Sequence, residues 1–151
     1  MPLNSPRGTN LLEGEAFTLK ASSAVVAGVA NAVGTAYIFN GERKRFIILL
    51  DCTVCDTDAT DTLDVYVDCL VSGAVWVNAI HFTQRIGTDA ATQEFAVLDA
   101  TNPGATVTDV TADAAAGAVR PGVFGSQMRA RWTMVDAVTG AFTFAVTGYA
   151  L

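Results

Sequence analysis

Apolar and polar residues alternate in short windows along much of the chain. Phe17, Leu19 and Ala21 alternate with Thr18 and Lys20, and Leu63, Val65 and Val67 with Asp64, Tyr66 and Asp68. Further on, Met128, Ala130, Trp132 and Met134 alternate with Arg129, Arg131 and Thr133, and Phe142, Phe144 and Val146 with Thr143, Ala145 and Thr147. A period of two sends successive side chains to opposite faces, so each window predicts a half-buried strand. Val75, Val77 and Ala79 alternate with Trp76, Asn78 and Ile80, a strand with two mixed faces. The run Phe46 to Leu50 is apolar throughout. It predicts a strand buried on both faces, or one with a face in the core and a face on a partner. A buried helical turn fits the run alone, but its turn-like flanks favour a strand.

Turn signals punctuate these windows at Asn40-Gly41, Ser72-Gly73, Gly87-Thr88, Asn102-Pro103-Gly104, Pro121-Gly122 and Thr139-Gly140. The spacing predicts an all-β fold, an antiparallel β-sandwich of jelly-roll-like type with about eight or nine strands. The alanine-rich segments Ala24 to Ala32 and Ala112 to Ala118 read as loops, because Gly28 and Gly117 interrupt them and helical periodicity is poor. Residues 1–14 hold two prolines and two glycines and little alternation. They are either a frayed terminus or an extended arm lying on a neighbouring subunit. The expected organisation is an N-terminal arm over 1–14 and a single sandwich domain over 15–151.

Composition narrows the function classes. Of the 151 residues, 51% are hydrophobic and 16% charged, against about 25% charged in an ordinary soluble domain. Sparse charge predicts surface that is covered, and subunit interfaces explain that better than a membrane, since no apolar run approaches the roughly 18 residues of a spanning helix. A net charge of −6 and a pI near 4.5 argue against nucleic-acid binding, which favours a basic face. The one basic run, Arg43-Lys44-Arg45, reads as a solvated strand end. The opening MPLNSPRGTN shows no apolar h-region, so no secretory signal is expected. Three cysteines in a chain long enough to need no staple suggest folding in a reducing compartment.

Candidate chemistry is thin. Cys52-Thr-Val-Cys55 is a CxxC, but Cys69 and His81 complete no four-ligand zinc set. It also ends an apolar strand rather than opening a helix, where residues three apart point to opposite faces, so packing cysteines are expected. The acidic stretch Asp56 to Asp61 departs from the calcium-loop pattern: Asp61 stands where glycine is required and Val67 where a bidentate glutamate is required. A solvated turn is the expectation. His81 has no neighbouring nucleophile in sequence, and no phosphate loop, nucleophile elbow or dinucleotide fingerprint occurs, so an enzyme, a cofactor and a metal are not predicted. Trp76 and Trp132 are expected in the core or an interface rather than as a sugar-stacking platform. Arg129 and Arg131 share a strand face and either pair with acidic residues of a neighbouring subunit or are solvated.

The stretches Arg45-Phe46-Ile47-Ile48-Leu49-Leu50, Thr62-Leu63-Asp64-Val65-Tyr66-Val67 and Trp76-Val77-Asn78-Ala79-Ile80, then Phe82-Thr83, resemble a group of small virion proteins of tailed bacteriophages. The ending Met128-Arg129-Ala130-Arg131-Trp132-Thr133, Thr139-Gly140 and Phe142-Thr143-Phe144-Ala145-Val146 extends the resemblance, which covers residues 43–85 and 127–148. The cysteine pair and the segment from Thr88 to Arg120 depart from it. The resemblance implies a non-enzymatic structural part of a phage particle, assembled in the bacterial cytoplasm and located in the virion. The leading form is a capsid decoration (cement) protein, a homo-oligomer such as a trimer, bound to the major capsid protein. A tail or neck protein, or a carbohydrate-binding module, is the alternative. The residues expected at its interface are Leu3, Leu11, Leu12, Arg43, Arg45, Arg129 and Arg131.

Overall fold

In the alternating windows the β-branched and aromatic residues suit a pleated, half-buried surface, and a computed structural model shows them paired in two antiparallel sheets. The structure describes residues 14–26, 31–39, 43–102, 112–135 and 140–151. The first sheet has the order β1 (Glu15–Val26), β11 (Ala141–Ala150), β4 (Arg45–Val54), β8 (Thr92–Asp99). The second has the order β2 (Asn31–Val33), β10 (Gln127–Val135), β5 (Thr62–Ser72), β6 (Val75–His81), β9 (Ala118–Val119). Two short strands join the second sheet off this path, β3 (Tyr37–Ile38) on β10 and β7 (Arg85–Ile86) on β5. The β5–β6 turn passes through Gly73 at φ +54°, a left-handed conformation that glycine adopts without steric cost.

The inward faces of the two sheets form one core. Ile48, Leu50, Phe144 and Val146 from the first sheet meet Val65, Val67, Met128 and Trp132 from the second, all buried. The Trp132 indole lies edge-on to Phe144, with ring centroids 5.7 Å apart. One end of the core is aromatic. Phe17 stacks on Tyr37 at 4.1 Å, and Phe39, Phe46 and Phe124 form a mutual cluster with centroids 4.6 to 5.3 Å apart. Phe39 and Phe124 come from connections rather than strands.

The β-sandwich expectation agrees with the structure, and four details differ. Among the described residues, seven strands are long and four have two or three residues, because short pairings cap the sheet edges. The expected loop over Ala24 to Ala32 is partly strand: β1 runs on to Val26, and β2 begins at Asn31. β8 lies inside the segment that departs from the phage resemblance; its contiguous Phe95-Ala96-Val97-Leu98 carries no alternation to mark it. Finally, Ala21 is exposed and Lys20 buried, the reverse of the alternation in sequence. Register shifts between Thr18 and Lys20 and between Lys20 and Ser23 cause this, since a bulge re-aims the side chains beyond it. The arm expected over 1–14 lies outside the described residues apart from Gly14.

Phe144 is fully buried at the centre of both sheets' contact. Phe144→Ala is therefore expected to lower the unfolding free energy by about 3–5 kcal/mol, read as a shift in urea midpoint at unchanged slope.

Candidate functional site

Packing the sheets together leaves each with an outward face, and the two outward faces differ in chemistry. On the second sheet, Asp64, Tyr66 and Asp68 of β5 point outward, as do Arg129 and Arg131 of β10. β6 supplies Asn78 opposite Asp68 and His81 opposite Tyr66. These two are three residues apart and share a face because the register shifts between them, leaving Ala79 as an extra residue.

Asp68, only 4% exposed, is the hub of this face. The Arg131 Nε donates to its Oδ2 at 2.9 Å, and the Arg129 Nε stands 3.8 Å from the same oxygen. The Arg129 guanidinium lies 4.0 Å over the Trp76 ring, and that of Arg131 lies 4.0 Å over Tyr66. Tyr66 in turn stacks on His81 at 4.2 Å. The segment around Ala114 lies across the top. The Ala114 N–H donates to Asn78 Oδ1 at 2.8 Å, its carbonyl receives His81 Nδ1 at 2.7 Å, and Asp113 receives Arg131 at 2.6 Å. His81 Nε2 reaches Asp64 Oδ1 at 2.9 Å. Both ring nitrogens thus lie within hydrogen-bond distance of an oxygen, the Ala114 carbonyl on one side and the Asp64 carboxylate on the other.

The outward face of the first sheet is apolar. Phe95 is 72% exposed, Val97 43%, Tyr149 42% and Ile47 37%. The register sets Tyr149, Ile47 and Val97 side by side across β11, β4 and β8, with Thr147, Leu49 and Phe95 in the adjacent row. The all-apolar run Phe46 to Leu50 is explained: Phe46, Ile48 and Leu50 enter the core, while Ile47 and Leu49 belong to this outer face.

The residues singled out in the sequence fall in different places. Leu3, Leu11 and Leu12 lie outside the described residues. Arg129 and Arg131 reach carboxylates of this chain. Arg45 pairs with Asp99 at 2.8 Å, tying β4 to the edge strand β8, and Arg43 precedes β4. Trp132 is in the core and Trp76 lies half-buried beneath Arg129. In the acidic stretch, Asp56 and Asp58 bond the neighbouring backbone of Thr57 and Thr60. Among the described residues, no three His, Cys, Asp or Glu side chains are grouped to share a metal ion, and no helix is long and apolar enough to cross a membrane. The CxxC departs from its expected geometry: the Cys52 and Cys55 sulfurs are 3.6 Å apart.

One feature gave no sequence signal as a site, and a second gave only a partial one. The Lys20 ammonium is held by the carbonyls of Phe144 (2.8 Å), Ser23 (3.1 Å) and Ala21 (3.2 Å) and sits 4.0 Å over the Phe144 ring. Burial lowers its pKa. The apolar outer face was half visible: the run Phe46 to Leu50 marked Ile47 and Leu49, whereas Phe95 and Val97 lie on a strand without alternation. Comparison of the chain with protein-family models, with curated proteins and with solved structures finds no match.

Removing the Asp68 charge leaves two guanidinium groups without their shared partner. Asp68→Ala is expected to cost about 2–3 kcal/mol, below the usual range for breaking a buried pair because both arginines keep some contact with solvent, checked by urea unfolding against Arg129→Met. The Thr101 hydroxyl and N–H, and then Arg45, hold the Asp99 carboxyl at about 2 against an ordinary 3.8. A depressed carboxylate stabilises the fold above its unfolded value and loses that contribution as pH falls through its folded value. The Tm difference between wild type and Asp99→Ala should therefore be full above pH 3.8 and shrink as pH falls through about 2, as followed by thermal melts across acidic buffers.

Proposed function

We propose that the chain is a non-enzymatic structural protein of a tailed-phage particle, a capsid decoration protein that binds the outside of the shell and bridges neighbouring capsid subunits. The observation that supports its binding role is the contrast between the two outer faces, and the phage particle is what the sequence resemblance implies. The outer face of the second sheet is closed by its own Asp68 network and the segment around Ala114. The outer face of the first sheet presents Phe95, Val97, Ile47 and Tyr149 to solvent. A contiguous exposed apolar patch is surface suited to a contact with another protein. A rigid sandwich carrying one such face suits a clamp laid across a subunit joint, where an interface of standard size removes about 800 Å² from each partner. Many copies on a lattice would gain avidity from individually modest contacts.

Two further observations support a binding role. His81, the single histidine, has both ring nitrogens within hydrogen-bond distance of an oxygen of this chain. At one border of the apolar face Arg45 is neutralised by Asp99, so a partner meeting that border does not have to desolvate an unpaired cation. A tail or neck protein shares the same requirement for a covered face, and copy number separates the two.

Phe95→Glu should weaken attachment to particles lacking the protein by about tenfold or more, equivalent to about 1.4 kcal/mol or more. Ser72→Glu, on the exposed β5–β6 hairpin, should leave attachment unchanged, and both variants should keep the wild-type unfolding midpoint. Quantitative mass spectrometry of intact particles should find hundreds of copies. Equal attachment of the Phe95 variant would overturn the role of this face, and dozens of copies would move the protein to the tail or neck.

A further inference from the structure

The two cysteines of the CxxC are brought together by an irregularity in β4. The register along β11 passes from Thr143 opposite Val54 to Phe144 opposite Cys52, leaving Thr53 as an extra residue. One extra residue reverses the facing of every residue beyond it, so side chains at positions 52 and 55 come to the same side although they are three apart. β4 ends at Val54, and Cys55 opens the connection to β5. The sulfurs stand 3.6 Å apart, with the Cys55 thiol also 3.9 Å from the Ala90 carbonyl. Cys52 is buried, whereas Cys55 is partly open to solvent. Cys69, the third thiol, is buried in the core.

We propose that Cys52 and Cys55 form a thiol–disulfide exchange site that takes low-molecular-weight disulfides, such as oxidised glutathione, as its oxidant. A disulfide needs its sulfurs at about 2.05 Å, so the pair must close by about 1.5 Å, a movement open to Cys55 because its backbone lies beyond the strand ladder. The exposed partner reacts first. The Cys55 thiolate attacks one sulfur of the small disulfide, forming a mixed disulfide and releasing one small thiolate. Cys52 then gives up its proton to solvent, and its sulfur attacks the Cys55 sulfur, breaking the mixed bond and releasing the second small thiolate. Two protein thiols are oxidised to one disulfide, and one small disulfide is reduced to two thiols. Burial, followed by the contact with Cys55, pushes the Cys52 thiol up to about 12. The second step is therefore the slow one and accelerates as pH rises. This inference is independent of any role in a particle.

The test is to treat the folded, reduced full chain with oxidised glutathione and follow it by intact mass and peptide mapping. A single glutathione adduct on Cys55 should form and then give way to a Cys52–Cys55 disulfide, faster at higher pH, while Cys69 stays free. Dithiothreitol should restore both thiols. Cys52→Ser should stop at the Cys55 adduct, and Cys55→Ser should take up no glutathione without denaturant. The wild-type mapping decides the matter even if a variant folds poorly. A wild-type Cys55 adduct that persists without conversion, or thiols that react only after unfolding, would overturn the proposal.

Discussion

Each sheet has two faces, and packing two sheets together buries only one face of each. The remaining structure depends on how the other two faces are handled. The inward faces are supplied by strict alternation in β5, β10 and β11, which brings Val65, Val67, Met128, Trp132, Phe144 and Val146 into a single core. The outward faces receive no such common solution. One is covered by the chain itself, with arginines placed over aromatic rings around one buried carboxylate. The other remains apolar and open.

The covered face illustrates why a buried charge is tolerated. Asp68 has lost most of its water; hydrogen bonds from Arg131 and Asn78 replace it, and the Arg129 guanidinium adds its charge from 3.8 Å. The Arg129 and Arg131 guanidinium carbons then sit 4.0 Å over the Trp76 and Tyr66 rings, a position suited to a planar, weakly hydrated cation. Asn78, His81 and Asp113 use the remaining donors and acceptors to hold the Ala114 segment down. Lys20 obeys the same rule with a different set of partners, replacing water with carbonyl oxygens and an aromatic face.

Departures from strand parity place the unusual groups. The extra residue at Ala79 puts Asn78 and His81 on one face, and the extra residue at Thr53 brings Cys52 to Cys55. Register shifts in β1 turn Lys20 inward. In each case a reading based on strict alternation assigns the side chain to the wrong side. The thiol pair and the polar network therefore share a cause, although they lie on different sheets.

The sequence by itself determined the class of fold, the antiparallel pairing expected of closely spaced strands, and the inward residues of β5, β10 and β11, because alternation is a local property that a window of five or six residues carries. It also marked Phe46 to Leu50 as a strand with two apolar faces. Only the tertiary structure decided that the second of those faces stays open, since its exposure depends on β8, an edge strand without alternation. It likewise decided that Phe39 and Phe124, from connections, close one end of the core, and that Arg129 and Arg131 find their carboxylates within the chain. Bulges and edges arise from the fit between partner strands far apart in sequence. No local pattern of residues encodes that fit.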